Sequence, residues 1–134
     1  LMIGLGVSAI SDSWYGFAQN VKTVKEYEEA LAKDRIPVYR GHILSEEDLI
    51  LRRHILNLMC QFHTSWEAPQ LQFPEVEAVK SRLAEMEKDG LIRILPHAIE
   101  VTDAGKPFVR NICMAFDLRL QRNVPTTRIF SMTI

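Results

Sequence analysis

Leu1 to Ser11, LMIGLGVSAIS, is an uncharged run of aliphatic and small residues with glycines at 4 and 6. That pattern predicts a strand buried on both faces of a parallel sheet, followed by a loop. Gly4 and Gly6 mark places where a ligand or another element approaches the backbone closely. Asp12 to Asn20 scatters Trp14, Tyr15 and Phe17 among polar residues and reads as a connector with anchoring aromatics. A short helix follows, because Thr23 and Glu26 have capping-box spacing and Tyr27 and Leu31 fall on one helical face. Ile36 to Leu44 is extended, with the φ of Pro37 fixed by its ring and a turn expected at Gly41.

From Ser45 the apolar residues recur at helical spacing. Ser45 is a cap, Glu46, Glu47 and Asp48 fill the first turn where the helix dipole favours acids, and Leu49, Leu56, Met59 and Cys60 carry the pattern to about Phe62. His63 to Phe73 reads as a loop. A second helix is predicted from about Pro74 through Val76, Val79, Leu83 and Met86, ending at Gly90. Leu91–Leu95 and Ala98–Thr102 form a hairpin around Pro96 and His97. A third helix begins near Gly105, since Pro107 must sit in a first turn, and runs through Phe108, Ile112, Phe116 and Leu120 until Pro125 closes it. The apolar tail, residues 128–134, is expected to dock. Helix, helix, two-stranded wing, helix is the outline of a winged-helix module. The fold class is therefore mainly α with a small β component (α+β). Residues 45–134 form the winged-helix-like domain, 12–44 a connector with a short helix, and 1–11 an orphan strand.

An orphan buried strand needs neighbours, so the chain, which begins with Leu1, reads as a piece of something longer. Its exposed edge is expected to pair with another copy or to fold back on the domain. The 134 residues suffice for one core with an appended arm. Sixteen basic and seventeen acidic residues give a net charge of −1, which supplies no field toward nucleic acid or an anionic membrane. The uncharged run at the start, residues 1–11, is about half a bilayer span and lacks the basic start of a signal peptide. Two distant cysteines indicate no disulfide scaffold, and a reducing cytoplasm is the expected location.

The winged-helix outline raises DNA binding, and the charges oppose it. Residues 74–89 hold five acids (Glu75, Glu77, Glu85, Glu87, Asp89) against Lys80, Arg82 and Lys88, a local charge of −2 facing a polyanion. The wing adds only Arg93, offset by Glu100. Cys60, His63 and nearby His54 are too few for a metal site, and Cys60 and Cys113 read as core residues. His42 and His97 sit in loops with no carboxylate or nucleophile at a telling distance, and no catalytic triad or phosphate-binding loop is present. Arg40, Arg52, Arg53 and Arg110 stand out, because the planar guanidinium fork suits carboxylates. Ion pairing with Asp48, Asp103 and Asp117 is the plainer use for such arginines.

GLGVSAIS, YGFAQN, YRGHILSEEDLILRRHILNLMC and DGLIRILPHAIEVTDAGKPFVRNICMAFDLRL, in that order and with the Phe130-Ser131 tail, resemble the C-terminal part of the oxygen-independent coproporphyrinogen III oxidase (coproporphyrinogen dehydrogenase) family. The resemblance implies a radical S-adenosylmethionine (SAM) enzyme of haem biosynthesis built on a partial (β/α) barrel. Three cysteines of a C-x3-C-x2-C motif hold a 4Fe-4S cluster that binds SAM. Its 5'-deoxyadenosyl radical opens the oxidative decarboxylation of two propionates of coproporphyrinogen III, giving protoporphyrinogen IX. This chain lacks that motif and nearly all the barrel, so the fragment alone is expected to bind no cluster and to be inactive, with no catalytic residue of its own.

What remains of the family's site is expected at the end of the last barrel strand. There Ile10 is carried over as an apolar SAM contact, with Ala9 and Ser8 as weaker ones, and the C-terminal ends of parallel strands are where ligands gather. Arg40, Arg52, Arg53 and Arg110 become candidate partners of the substrate propionates. The expected partners are the missing N-terminal barrel and coproporphyrinogen III, with no nucleic acid and no membrane. The alternative is a free-standing winged-helix module that binds DNA or a protein.

Overall fold

The structure, a computed structural model, describes residues 1–122; the expected close at Pro125 and the docking tail lie outside the described residues. The chain divides into two compact units, Leu1–Leu49 and Ile50–Ile134. Its elements are a mixture of short helices and small antiparallel sheets, an α+β architecture.

In the first unit, β1 (Ile10–Ser13), β2 (Gly16–Asn20) and β3 (Val38–Ile43) form an antiparallel sheet in that order. Residues 12–44 are thus more than a connector. The two residues between Ser13 and Gly16 close a tight hairpin. β3 continues through Gly41 instead of turning there, pairing Gly41 with Ala18. Helix α1 (Val24–Ala32) is capped by Thr23, with Glu26 N–H donating to Thr23 Oγ1 at 3.3 Å; the Glu26 carboxylate accepts the Thr23 hydroxyl at 2.6 Å in place of the backbone N–H of a full capping box.

Leu1–Ser11 is not one regular strand here. Gly6 (φ 91°) and Ser8 (φ 59°) lie in the left-handed region, which breaks an extended run. The segment folds back on itself, Met2 bridging to Asp12 and Gly4 N–H donating to Ser11 Oγ. Buried Asn20 holds the bend by donating to the carbonyls of Gly4 (3.1 Å) and Gly6 (2.9 Å). Leu1 and Leu5 are 84% and 85% exposed, not buried as the apolar pattern suggested.

Helix α2 (Glu46–Gln61) begins at its expected cap, where Ser45 and Asp48 exchange hydrogen bonds: Ser45 N–H to the carboxylate at 2.8 Å, Asp48 N–H to the hydroxyl at 3.2 Å. The second unit continues with β4 (His63–Ser65), α3 (Val76–Lys88) and the hairpin β5 (Ile92–Leu95) and β6 (Ala98–Val101), in a sheet ordered β4-β6-β5. β4 and a 3-10 turn at Pro69–Leu71 occupy the stretch predicted as loop; three-residue elements give no periodic signal. Gly90 (φ 73°) closes α3, with Gly90 N–H on Glu87 O and Leu91 N–H on Met86 O.

The predicted third helix is interrupted. A 3-10 turn spans Lys106–Phe108, followed by α4 (Val109–Met114) and α5 (Leu118–Arg122). Asp117 accepts the Leu120 N–H at 3.0 Å and so starts α5 afresh. Leu58, Val79, Leu83, Ile92, Ile99, Ile112, Phe116 and Leu118 form the buried core of this unit.

Candidate functional site

Sheet pairing in the first unit determines which side chains share a face. In-register rows place Ile10 opposite Gln19 and Gln19 opposite Arg40, and likewise Asp12, Phe17 and His42 across the next row. Because side chains two apart on a strand point the same way, both rows lie on one face. There they line an open cleft of about 420 Å³ whose walls include Ile10, Phe17, Gln19, Arg40 and His42. Arg40 Nε donates to Gln19 Oε1 at 2.9 Å, and Gln19 Nε2 donates to the Ser8 carbonyl at 3.3 Å. His42, expected in a loop without a carboxylate, lies in β3 with Nε2 3.3 Å from Asp48 Oδ2. The residue Asp48 is six positions on, and only the chain's path from β3 into its helix brings the two together.

Of the expected cofactor contacts, Ile10 opens β1 and is half exposed on the cleft. Ser8 is engaged through its backbone, the N–H to Val21 O and the carbonyl to Gln19, while the Ala9 carbonyl accepts the Asn20 N–H. The four arginines divide between the units: Arg40 in β3 of the first, Arg52 and Arg53 on α2 and Arg110 on α4 in the second. Of the acids expected as their partners, two have other roles. Asp103 pairs with Lys106 at 2.7 Å, a contact that lowers the Asp103 carboxyl, and Asp117 caps α5. Gln19, the residue that holds Arg40, carries no sequence signal: a lone glutamine in a polar strand gains meaning only from the register.

The second unit holds a buried polar cluster. His54 is fully buried, with Nε2 2.8 Å from the Leu71 carbonyl and Nδ1 2.7 Å from Thr64 Oγ1. A carbonyl only accepts, so Nε2 carries the proton, and the neutral ring accepts the Thr64 hydroxyl at Nδ1. Phe73, Phe116 and Trp66 surround the ring at centroid distances of 5.1, 5.7 and 6.4 Å. Burial holds the imidazole below its ordinary pKa, and the Leu71 bond offsets part of that. His54 thus packs the core and is no metal ligand.

Cys60 is exposed, contrary to the core role its spacing suggested, because α2 turns that position outward. Cys113 is buried, and burial raises its thiol to about 11. Iodoacetamide at neutral pH is therefore expected to label one thiol, Cys60, and to reach Cys113 only in urea; mass spectrometry showing two equally fast alkylations would refute the burial. The described residues contain no cluster of three or more His, Cys, Asp or Glu side chains able to hold a metal. With two cysteines in all, the chain does not fit the ligand set of a 4Fe-4S cluster. Among the described residues no helix is long and apolar enough to cross a membrane.

Two of the three basic residues of α3 are committed within the unit: Lys80 to Glu77 at 2.8 Å, and Arg82 to Glu75 at 3.8 Å and the Ala115 carbonyl at 3.2 Å. The DNA-binding alternative has no support from this surface, nor from the proteins the chain resembles.

Over most of its length the chain is homologous to a segment of a radical SAM enzyme. The solved coproporphyrinogen III oxidase of Escherichia coli, described as a radical SAM enzyme, superposes with a TM-score of 0.77 at 34% identity, covering 88% of this chain and 28% of its own. In sequence, the oxygen-independent coproporphyrinogen III oxidase of Synechocystis is 37% identical over 99% of this chain and 30% of its own length. The Escherichia coli enzyme of the same name is 36% identical over 90% of this chain and 28% of its own length. The chain thus spans less than a third of these relatives. No protein-family model matches it.

Proposed function

We propose that this chain is the C-terminal segment of an oxygen-independent coproporphyrinogen III oxidase, covering the substrate side of a radical SAM barrel supplied by the rest of the enzyme. The supporting observation is the collinear 37% identity over 99% of the chain. The whole enzyme would oxidatively decarboxylate two propionates of coproporphyrinogen III to give protoporphyrinogen IX, using SAM and a 4Fe-4S cluster held outside this segment. Ile10, with Ala9 and Ser8 beside it, would supply apolar and backbone contact to SAM. Arg40, Arg52, Arg53 and Arg110 are the arginines offered to substrate carboxylates. Residues 1–11, bent here, would straighten to complete the barrel sheet when the barrel is present, residues 12–44 would join it to the rest through the β1-β2-β3 sheet and α1, and the α2–β4–α3–β5–β6 portion would act as a winged-helix-like packing module. Two unpaired thiols suit a reducing cytoplasm.

The isolated chain would have no activity, having no cluster ligand set. A chimaera tests the reading: this chain replaces the matching segment of the Escherichia coli enzyme, and protoporphyrinogen IX formation is followed anaerobically with SAM and a reductant. The chimaera is expected to be active and the segment-deleted enzyme inactive. A chimaera that assembles its cluster and cleaves SAM, yet makes no protoporphyrinogen IX, would overturn the proposal.

A further inference from the structure

We infer that the Ile10–Gln19–Arg40 row of the first sheet is a binding site for the carboxylate of a flat, largely apolar ligand, with Gln19 as the residue that positions the arginine. Arginines bound to a carboxylate, such as Arg93 on Glu100 or Arg122 on Glu75, have their charge neutralised. The partner of Arg40 is a neutral amide, so its full positive charge stays on the cleft. The amide is itself oriented, since Gln19 Nε2 donates to the Ser8 carbonyl and leaves Oε1 to receive the Arg40 Nε–H. With Nε occupied, the paired Nη groups form the remaining fork, the edge that takes a carboxylate through two parallel bonds.

Charge alone would describe any anion site. The rest of the cleft restricts the ligand, because its lining beside the guanidinium is apolar: Ile10 is 51% and Phe17 37% exposed on the same face, and Asp12, which shares that face one row away, is not among the lining residues. Ile10 and Arg40 stand two strand spacings apart, about 10 Å, so an apolar body of that breadth can lie on the sheet with a carboxylate at its far end. His42 is already engaged by Asp48, which leaves Arg40 to supply the charge. Among the four candidate arginines this geometry selects Arg40. Identifying the ligand as the tetrapyrrole substrate, four carboxylates around an apolar ring, rests on the function proposed above; the carboxylate site itself does not.

The test uses the 134-residue chain and the fluorescence anisotropy of coproporphyrin III, a stable tetracarboxylate, with its uncharged tetra-amide as the second probe. The acid is expected to bind and the amide to bind about tenfold more weakly or not at all. Arg40→Gln should weaken the acid by about tenfold or more, with Arg40→Lys between it and wild type. Gln19→Leu should weaken the acid about threefold or more and leave the weak amide binding unchanged, since only the orientation of the fork is lost. Arg93→Gln, on the β5–β6 hairpin where Arg93 pairs with Glu100, should bind as wild type does. Far-UV circular dichroism confirms that each variant folds. Equal affinity for acid and amide, no effect of Arg40→Gln, or a Gln19→Leu protein that binds the acid normally would each refute the inference. If charge-dependent binding persists while the chimaera is inactive, the enzyme assignment fails and the carboxylate site stands. An active chimaera whose Arg40→Gln variant keeps full affinity and activity has the opposite meaning.

Discussion

Gly105→Ala is expected to destabilise the second unit by about 3 kcal/mol or more, at the upper end for overpacking a rigid site. An ideal Cβ at this position would overlap the Leu91 carbonyl oxygen and lie 2.8 Å from its carbon and 3.0 Å from Val101 Cγ1. The first two are backbone atoms, and no rotamer change removes them. The Leu91 carbonyl is also tethered, accepting the Thr102 N–H at 3.0 Å and the Thr102 hydroxyl at 3.1 Å. Relieving the contact would move the start of β5 by on the order of 1 Å against a close-packed core. Gly105 has ordinary helical angles, φ −81° and ψ −20°, so the cost is one of space and not of backbone conformation. Gly90 is the opposite case: φ is 73°, and a Cβ added there would meet nothing within 4 Å. Gly90→Ala should therefore cost about 1–2 kcal/mol, from the left-handed conformation alone. Urea unfolding followed by Trp66 emission, in a Trp14→Phe background, measures both; Trp66 is 4% exposed and Trp14 67%. Should Gly105→Ala cost no more than Gly90→Ala, the contact between the α4 approach and Leu91 is wrong.

His54→Leu should lower stability at pH 8 by about 2–5 kcal/mol, and the deficit should shrink in acid. Leucine fills much of the ring's space but strands the Thr64 hydroxyl and the Leu71 carbonyl, each costing about 1–3 kcal/mol when left without a partner away from water. The pH dependence follows from the depressed imidazole. Above the ordinary value of 6.5, neither folded nor unfolded chain protonates His54, and its contribution is complete. Below 6.5 the unfolded chain takes up a proton that the folded core refuses, so stability falls as pH drops toward the folded value. The slope is at most about 1.4 kcal/mol per pH unit. His54→Leu has no such group, and the remaining titrations are common to both proteins and cancel in the difference. Urea midpoints at pH 8, 6.5 and 5 should thus converge. A gap that is constant or grows toward pH 5 means that His54 is charged in the folded protein.

Much of the architecture was legible in the sequence where the interactions are short-range. The Thr23–Glu26 and Ser45–Asp48 exchanges span three residues, and the Gly90 cap and the β5–β6 hairpin are similarly local. Such bonds depend on residue identity at fixed spacing, which a sequence displays directly. The errors have an equally physical source. Leu1–Ser11 has the composition of a buried strand, but Gly6 and Ser8 adopt left-handed angles, and Asn20 stabilises the resulting bend. Cys60 looked apolar by period, but the helix presents that position outward. Of the first unit's sheet only β3 reads as extended in the sequence; β1 and β2 are short and show little alternation to detect.

The candidate site shows the division most plainly. The sequence by itself determined the α+β class, the chain's kinship through its ordered blocks, the absence of a cysteine set for a cluster, and the arginines worth examining. Only the tertiary structure decided what holds Arg40: Gln19 and Arg40 are 21 residues apart, and Ile10 joins them through strand register. Likewise His54 meets Thr64 and Leu71 across 10 and 17 residues, and Gly105 meets Leu91 through the packing of a turn on a strand. Side-chain identity sets what a residue can do within a turn or two of its own backbone. Contacts between distant residues depend on strand register and core packing, which are settled by the free energy of the whole fold.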